Sequence, residues 1–446
     1  MHRHRRRSLT ALSAVAVVAV LAAVGCSSSS SSSSSSVVPP ASSASSPAQG
    51  AGTGGQGAQS VTNYLTYVGG KAGPASTSLP PVYIGFVNQQ GGPTSVGPLA
   101  TTGAQMAVNY ANAELGGVDG HPIKLVTCFI ASAEEEGTTC AQKFLADKNI
   151  DVVNMGGVAI GVQSFYSTLH GALPVIDGVA ATTIDATQSN AVILFGDVTH
   201  VLGPFGTYAS QVLHAKTAAL VYPSDNAGIA LGAAAVKSAL QTAGVSVKAV
   251  GYSESQTDLT SVLTAAGAQT ADMVIPYTDS AGCVNVAKSL IQLGITNAKK
   301  IVSAPLCLNG QVAAGLGGDF PKWTYLIASS LFGDTTDPGM IEYMKLAQTY
   351  STPANAPDPW NIVDFGQMMT IDKVLNQVGY ANLTPAAILS AVKAFKGPQA
   401  LGAPALECGY DPSAPGVCNN RSQFFEYAGH NKWIKTAGWT QPPAGD

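Results

Sequence analysis

From residue 81 onward, short apolar runs alternate with longer segments that have helical periodicity. The stretch 82–87 is an apolar β-type run, 99–115 has a helical pattern, and 123–129 is the next apolar run. Apolar strands that alternate with helices of about 10–15 residues are typical of βαβ units and a parallel sheet. The pattern then predicts a helix over 134–148, strand 152–155, a helix near 162–170, and strands 174–176 and 192–195.

A second series of the same kind begins near Thr199. It predicts helices over 202–214, 228–243, 259–268 and 281–293, and strands over 218–222, 245–252, 273–277, 300–303 and 324–330. Further helices are predicted near 339–350, 364–378 and 384–393, followed by a β-rich tail that includes 424–427. We therefore predict an α/β fold with two lobes, each a doubly wound parallel sheet.

The first 26 residues have a different pattern. Four arginines precede an apolar run of 16 residues from Leu9, which is shorter than the ~20 residues that a membrane-spanning helix needs. A cationic head, an apolar run and small residues indicate a secretory signal. Residues 21–26 resemble the lipobox of bacterial lipoproteins, with Ala23 in place of the usual leucine. The resemblance implies a signal peptide over 1–25 and lipidation of Cys26. The alternative is an ordinary signal peptide with an incidental cysteine.

Residues 26–78 are rich in Ser, Gly, Ala and Pro, including an unbroken serine run over 27–36. This composition buries little apolar surface, so we predict a disordered tether. The patch 61–68 is the one part of it that could order.

Composition narrows the function further. Apolar residues make up 46% of the chain and charged residues 11%. Without its signal peptide the chain loses four arginines and no acid, so the net charge falls from −4 to about −8. No basic patch and no later apolar run of spanning length occurs. We therefore expect no nucleic-acid partner and no membrane contact beyond the lipid anchor.

Six cysteines remain after Cys26, and an exported chain with an even number is expected to form disulfides. They fall into couples that are close in sequence, and no Cys-x-x-Cys or paired histidine suggests a metal site. The favoured pairing is Cys128–Cys140, Cys283–Cys307 and Cys408–Cys418. Fifteen connectivities remain open from sequence alone.

Motifs that carry catalysis are missing from the sequence. There is no Gly-rich dinucleotide fingerprint after the first strand, no phosphate-binding loop and no Gly-x-Ser-x-Gly elbow. Glu134-Glu135-Glu136 is more typical of the first turn of a helix than of acid–base chemistry. We expect no cofactor, no metal and no enzymatic activity.

Ligands of open α/β sheets bind outside the carboxyl ends of the strands. The residues at those ends are rich in hydroxyls, amides and glycines, which suits hydrogen bonding to a small polar ligand. Ordinary turns and helix caps are the alternative explanation for the same residues. The candidate ligand contacts are Gln89, Ala180, Thr182, Asn226, Tyr277 and Asp279.

Four stretches connect the chain to a known family: VYIGFVNQQGGPTS, GAQMAVNYANAELGGVDGHPIKLVTC, TTCAQKFLADKNIDVVNMGG and LPVIDGVAATT. Together they resemble the substrate-binding proteins of ABC importers, in the branched-chain amino acid (leucine/isoleucine/valine-binding) group with the type I periplasmic-binding fold. The resemblance covers about 82–331 and is carried more by motif in its first half than in its second.

The resemblance implies two lobes that close on a ligand through a three-strand hinge. The crossovers are expected near 199–202, 332–334 and 397–403. Lobe 1 would contain 79–200 and 333–400, and lobe 2 would contain 201–332 and 401–440. In relatives, an amino acid is held by first-lobe positions that match 157–161 and 180–183, with a tyrosine and an acid that match Tyr277 and Asp279. The couple Cys128–Cys140 also resembles a disulfide of relatives.

Departures from the family pattern argue against a plain α-amino acid ligand. Ala227-Gly228 stands where relatives often have Tyr-Gly, and 158–160 reads Val-Ala-Ile where they use a serine. The loop 304–307 has no carboxylate for an ammonium group. An unpaired buried ammonium is costly, so Asp279 or Asp225 would have to replace that carboxylate.

The predicted function is therefore a monomeric solute-binding lipoprotein, anchored to the outer face of the cytoplasmic membrane. It would capture a small polar solute, such as an amino acid or amide, for an ABC permease. A ligand sensor that signals to a membrane partner without transport is the first alternative. A secreted enzyme on a Rossmann-like scaffold is the second.

Overall fold

The computed structural model describes residues 60–92 and 98–444. The predicted signal peptide, Cys26 and the predicted tether up to residue 59 lie outside the described residues.

Residues 60–79 pack on the body of the protein. Helix α1 (Tyr64–Val68) buries Tyr64, whose ring meets the rings of Tyr110 and Phe365 edge-on at centroid distances of 6.0 and 5.5 Å. After the helix, backbone hydrogen bonds join residues 71–76 to residues 112–120. The prediction of a disordered tether is therefore wrong for residues 60–78. The apolar patch 61–68 forms the helix, because three of its side chains find a core to cover.

The first sheet has five parallel strands in the order β2-β1-β3-β4-β5. They are β1 (Val82–Gln89), β2 (Ile123–Ile130), β3 (Ile150–Met155), β4 (Val175–Ala180) and β5 (Ala191–Asp197). Both faces of the central strands are buried, so the strands read as apolar runs rather than as alternating patterns. The connecting helices are α2 (Pro98–Glu114), α3 (Glu135–Ala146), α4 (Val162–Leu169) and α5 (Thr183–Thr187).

The second group of strands repeats this order. Strands β7-β6-β8 form one sheet, β12-β11-β10-β9 form another, and a parallel bridge between Val274 and Ile301 joins them. The strands are β6 (Thr217–Pro223), β7 (Ser246–Tyr252), β8 (Met273–Pro276), β9 (Val302–Ser303), β10 (Thr324–Ile327), β11 (Ser422–Gly429) and β12 (Lys432–Thr440). The second lobe is not wholly parallel as predicted, because β11 and β12 add an antiparallel hairpin at its edge.

Helices also surround this second sheet. They are α6 (Pro204–Thr207), α7 (Ala227–Thr242), α8 (Thr260–Ala266), α9 (Ser280–Gln292) and α10 (Gly310–Gly315). A π-helical turn over Tyr208–Val212 continues α6. The chain then returns to the first sheet with α11 (Pro338–Tyr350), α12 (Pro359–Val378) and α13 (Pro385–Lys393). Helices α2 and α12 contribute to the core on one face of the first sheet, and α3 and α4 to the core on the other.

Three crossovers join the two sheets: after β5, after β10 and before β11. The third lies later than predicted. Cys418 N–H still donates to the carbonyl of Ile193 in β5 (3.0 Å), and Asn419 Nδ2 donates to the carbonyl of Phe195 (3.0 Å). Residues 401–418 therefore belong with the first sheet, and the expected crossover at 397–403 and the assignment of 401–418 to lobe 2 are wrong. This turn-rich segment has no periodicity that could have placed it.

The three predicted disulfides, Cys128–Cys140, Cys283–Cys307 and Cys408–Cys418, are present. Cys128–Cys140 joins β2 to α3, Cys283–Cys307 joins α9 to the helical turn after β9, and Cys408–Cys418 closes the loop that lies beside β5. Among the described residues, no helix combines the length and the apolar character that crossing a bilayer requires.

Candidate functional site

Each lobe has one point at which the strand order reverses. In the first sheet it lies between β1 and β3, and in the second between β6 and β8. Successive connections leave such a point in opposite directions and open a crevice at the carboxyl ends of the strands, where ligands of α/β proteins bind. The predicted ligand contacts all lie at or just after the carboxyl ends of β1, β4, β6 and β8. These two switch points define the candidate site.

Gln89 joins the two strands of the first switch point. It is the last residue of β1, and its side chain is buried. Its backbone N–H donates to the carbonyl of Gly157 (3.1 Å), and its Oε1 accepts from the N–H of Ala159 (2.9 Å). The side chain therefore holds the loop after β3 in position.

Two glutamates bind backbone N–H groups beside the same switch point. Glu134 accepts from the N–H of Gly161 through Oε2 and from the N–H of Ser164 through Oε1, each at 2.8 Å. Glu136 Oε2 accepts from three successive N–H groups, of residues 131–133, at 2.8 to 2.9 Å. The bond from Ala133, followed by the others, holds the pKa of Glu136 below its usual value. Each carboxylate thus fills an anion-binding position of the backbone.

Thr182 and Ala180 lie at the end of β4. Thr182 is the N-cap of α5: its Oγ1 accepts from the N–H of Ile184 (3.2 Å) and donates to Asp185 Oδ2 (2.7 Å). Ala180 is buried, and its carbonyl accepts from the N–H of Val198 (3.2 Å). Helix capping thus accounts for Thr182, and the carbonyl of Ala180 holds the chain after β5 against the end of β4.

Buried acids lie beneath the first edge. Burial raises the pKa of Asp177 and of Asp364 well above the ordinary range, and that of Asp185 to about 6. Neither carboxyl oxygen of Asp364 has a hydrogen-bond partner among the described residues. A Cβ on Gly156 would lie 3.3 Å from Asp364 Oδ1, so this carboxyl lies directly under the loop after β3. Asp177 and Asp364 therefore favour their neutral form, whereas Asp185 still ionises near neutral pH.

Five polar side chains surround the second switch point. Asn226 is the N-cap of α7; its Oδ1 accepts from the N–H of Ile229 (3.1 Å) and its Nδ2 donates to Glu254 Oε1 (2.7 Å). Asp279 is the N-cap of α9, and its Oδ1 accepts from the N–H of Gly282 (2.8 Å). The hydroxyls of Tyr252 and Thr278 lie 2.5 Å apart beside it. Glu254 joins this group without any sequence signal, since β7 alone brings it beside Asn226.

Tyr277 does not line an open crevice in the way the sequence suggested. It is 4% exposed and packs in the core beneath α7. Its hydroxyl lies so close to the helix that a Cβ on Gly232 would be 2.1 Å away. Burial accordingly raises the pKa of Tyr277 far above its usual value. The side chain supports the helix that carries Asn226.

Residues 81–409 match the family model described as periplasmic binding protein. The chain belongs to the periplasmic binding protein family. This confirms the resemblance seen in the sequence and the α/β fold class, and it implies an extracytoplasmic location. No curated protein sequence matches the chain.

Solved structures of solute-binding proteins have the same fold. An ABC transporter substrate-binding protein from Sphaerobacter thermophilus has 14% identity and a TM-score of 0.67, over 81% of this chain and 98% of that one. A solute-binding protein from R. palustris in complex with 4-hydroxybenzoate has 17% identity and a TM-score of 0.61, over 81% and 97%. A branched-chain amino acid transporter substrate-binding protein from Streptococcus pneumoniae, in complex with isoleucine, has 16% identity and a TM-score of 0.60, over 80% and 99%.

This periplasmic binding protein has a second notable region at its hinge. A cavity of about 620 Å³ lies between α7 and the loop closed by Cys408–Cys418, with Leu231, Tyr410 and Asp411 in its lining. His200, from the first crossover, also lines it, with Nδ1 2.6 Å from Asp197 Oδ1 and Nε2 3.0 Å from Asp411 Oδ2. His200 has no motif around it in the sequence, and its acidic partner Asp411 is 211 residues away in the chain.

Proposed function

We propose that this protein is an extracytoplasmic solute-binding lipoprotein that captures a small polar solute between its two lobes for an ABC importer. The observation that carries the proposal is the repeated strand order, β2-β1-β3-β4-β5 and β7-β6-β8-β9-β10, with a polar switch point in each lobe. Three crossovers between the lobes suit closure about a hinge. The family match over 81–409 supports the same function.

We assign solute binding to three side chains, those of Thr182, Asn226 and Asp279. Each caps a helix with one oxygen and is partly exposed, which leaves the rest of its polar surface for hydrogen bonds to a ligand. Gln89 and Ala180 shape the first edge through the loops and strands that they hold. Tyr277 acts indirectly, through its contact with α7.

The size of the solute follows from the solved relatives. Isoleucine and 4-hydroxybenzoate, present in two of them, are small molecules with an apolar body and polar ends. The carboxyl edges of the two sheets combine capped polar groups with exposed Ala159, Ala181 and Leu306, which suits a solute of the same size.

The membrane attachment is the second part of the proposal. After cleavage of residues 1–25, a lipid on Cys26 would hold the protein on the outer face of the cytoplasmic membrane, as a monomer. Labelling cells with a radioactive fatty acid tests it: the wild-type protein takes up label, and Cys26→Ser does not and appears in the medium. Retention of label by Cys26→Ser would contradict the anchor.

Ligand binding is tested with the mature protein purified in detergent. A solute that binds only the folded state raises the melting temperature, and about 100 Kd of ligand adds about 2.7 kcal/mol of stability. Loss of uptake of the same solute in cells that lack the protein identifies transport. A lost transcriptional response with unchanged uptake would instead indicate the sensor. A solute that the protein converts into a product would contradict a pure binding function.

A further inference from the structure

Fixed positive charge is scarce at the carboxyl edges of the two sheets: within the described residues Arg421 lies there, next to β11, and Lys435 Nζ is 2.7 Å from Asp334 Oδ2, in the segment after β10. The segments that follow the ten parallel strands contain no lysine and no arginine, and their one histidine, His200, lies between Asp197 and Asp411 at the hinge. Lysines lie instead beside the amino ends of several strands, at Lys216, Lys300 and Lys322. A ligand carboxylate at these edges would therefore depend mainly on neutral donors, namely backbone N–H groups, hydroxyls and amides.

Several of those N–H groups are already bound by the chain's own oxygens. In the first lobe, Ala159 donates to Gln89, and Gly161 and Ser164 donate to Glu134. In the second lobe, the helix N-termini are capped from within: Ile229 donates to Asn226, and Gly282 donates to Asp279. Glu134 is itself a carboxylate, so it occupies the position that an anionic ligand group would take and repels a second one.

Acceptors, by contrast, remain available at the second switch point. Asp279 uses Oδ1 for its cap, and its Oδ2 has no hydrogen-bond partner among the described residues. Glu254 likewise uses Oε1 for Asn226, and within the described ranges no partner binds its Oε2. Neither acid forms an ion pair with a described lysine or arginine. These two carboxylates flank Asn226 from strands on either side of β6.

We infer that the solute is an organic cation: a molecule with a positively charged nitrogen, an apolar body and no free carboxylate. The inference rests on the proposed solute-binding function and names its ligand class. Asp279 Oδ2 binds the charged nitrogen, with Glu254 adding to the attraction. Exposed Ala159, Ala181 and Leu306 contact the apolar part. Isoleucine and 4-hydroxybenzoate, which two solved relatives bind, both carry a carboxylate, which Asp279 and Glu254 would repel.

Matched pairs of probes test the charge of the ligand directly. Isoleucinamide differs from isoleucine, and benzamidine from benzoate, mainly in replacing the carboxylate by a neutral or cationic group. In thermal-shift and calorimetric titrations of the mature protein, we expect isoleucinamide or benzamidine to bind at least about tenfold more tightly than its acid partner, a difference of 1.4 kcal/mol. Tighter binding of either acid would overturn the inference and leave the proposed function standing. If no probe and no wider panel of metabolites of either charge binds, the proposed function fails as well.

Single-residue variants test which residues bind the charged part of the ligand. Asp279→Asn keeps the cap, since Asn caps as well as Asp, but removes the charge. We expect it to weaken binding of the cation about tenfold or more. Asp272→Asn is the matched control, because Asp272 precedes the same strand at its opposite end and also accepts backbone bonds. Glu134→Ala frees the N–H groups of Gly161 and Ser164 and should strengthen binding of the acids. Equal affinities in Asp279→Asn and Asp272→Asn would contradict the assignment of Asp279.

Discussion

Nδ1 of His200 lies 2.6 Å from Oδ1 of Asp197, and this contact fixes the first crossover against the end of β5. Burial alone would lower the pKa of His200, but the hydrogen bonds and charges of Asp197 and Asp411 outweigh it and raise the pKa to about 9. Because Asp411 lies in the loop closed by Cys408–Cys418, the imidazolium connects two segments at the hinge.

The stability that His200 contributes should depend on pH. Its folded pKa of about 9 exceeds the unfolded value of about 6.5, so the contribution is complete below pH 6.5 and is lost as the pH rises through 9. We expect His200→Asn to lower the free energy of unfolding by about 2 kcal/mol at pH 6, and by much less at pH 10. His170→Asn, at an exposed histidine, is the control. Urea titrations at both pH values measure the difference, and a loss independent of pH would rule out the ionic contribution.

The buried carboxyl of Asp364 should destabilise the folded protein at neutral pH. Burial raises its pKa, so the unfolded state ionises first and stability falls as the pH rises above about 4. Replacing it by a neutral isostere removes that penalty. We expect Asp364→Asn to raise the free energy of unfolding by about 1–2 kcal/mol at pH 7 and to change it little at pH 3.5. Destabilisation by Asp364→Asn at pH 7 would show that the ionised group has a partner.

Two glycines of α7 provide a test of the packing around Tyr277. A Cβ on Gly232 would lie 2.1 Å from the hydroxyl of Tyr277, whereas the nearest atom to a Cβ on Gly228 is 3.6 Å away. We expect Gly232→Ala to destabilise the protein by about 1–3 kcal/mol through overpacking. Gly228→Ala should be neutral or stabilise it by up to about 1 kcal/mol, since alanine favours the helix. Thermal unfolding of the two variants compares them; similar melting temperatures would contradict the buried position of Tyr277.

The packing of α1 predicts that Tyr64, which composition assigned to the disordered tether, stabilises the folded protein. Tyr64 is 1% exposed and lies between Tyr110 and Phe365. Tyr64→Ala should lower the free energy of unfolding by about 3–5 kcal/mol, as for other large aromatic side chains removed from a core. Thr66→Ala, on the exposed side of the same helix, should change it by less than about 0.5 kcal/mol. Denaturant unfolding checks both, and a neutral Tyr64→Ala would show that residues 60–79 do not contribute to the fold.

Local pattern and tertiary context contributed differently to the site. The positions of Thr182, Asn226 and Asp279 after strand ends were predictable, because short polar residues between an apolar run and a helical pattern mark N-caps. The partners of those residues were not. Glu254 reaches Asn226 and Glu134 reaches Gly161 only because neighbouring strands end at one edge of a sheet.

The sequence by itself determined the two α/β lobes, the strands and most helices, and it favoured the three cysteine pairs that the structure contains. These features depend on periodicity and on contacts between residues that are close in the chain. Tertiary structure alone decided that residues 60–78 pack on the first lobe, that residues 401–418 stay with β5, and that Tyr277 lies beneath α7. Each of these features depends on a surface or a space that distant residues build: Phe365 packs on Tyr64, and Gly232 leaves room for Tyr277. The free energy gained on burial therefore depends on the partner residues as much as on the buried residue itself.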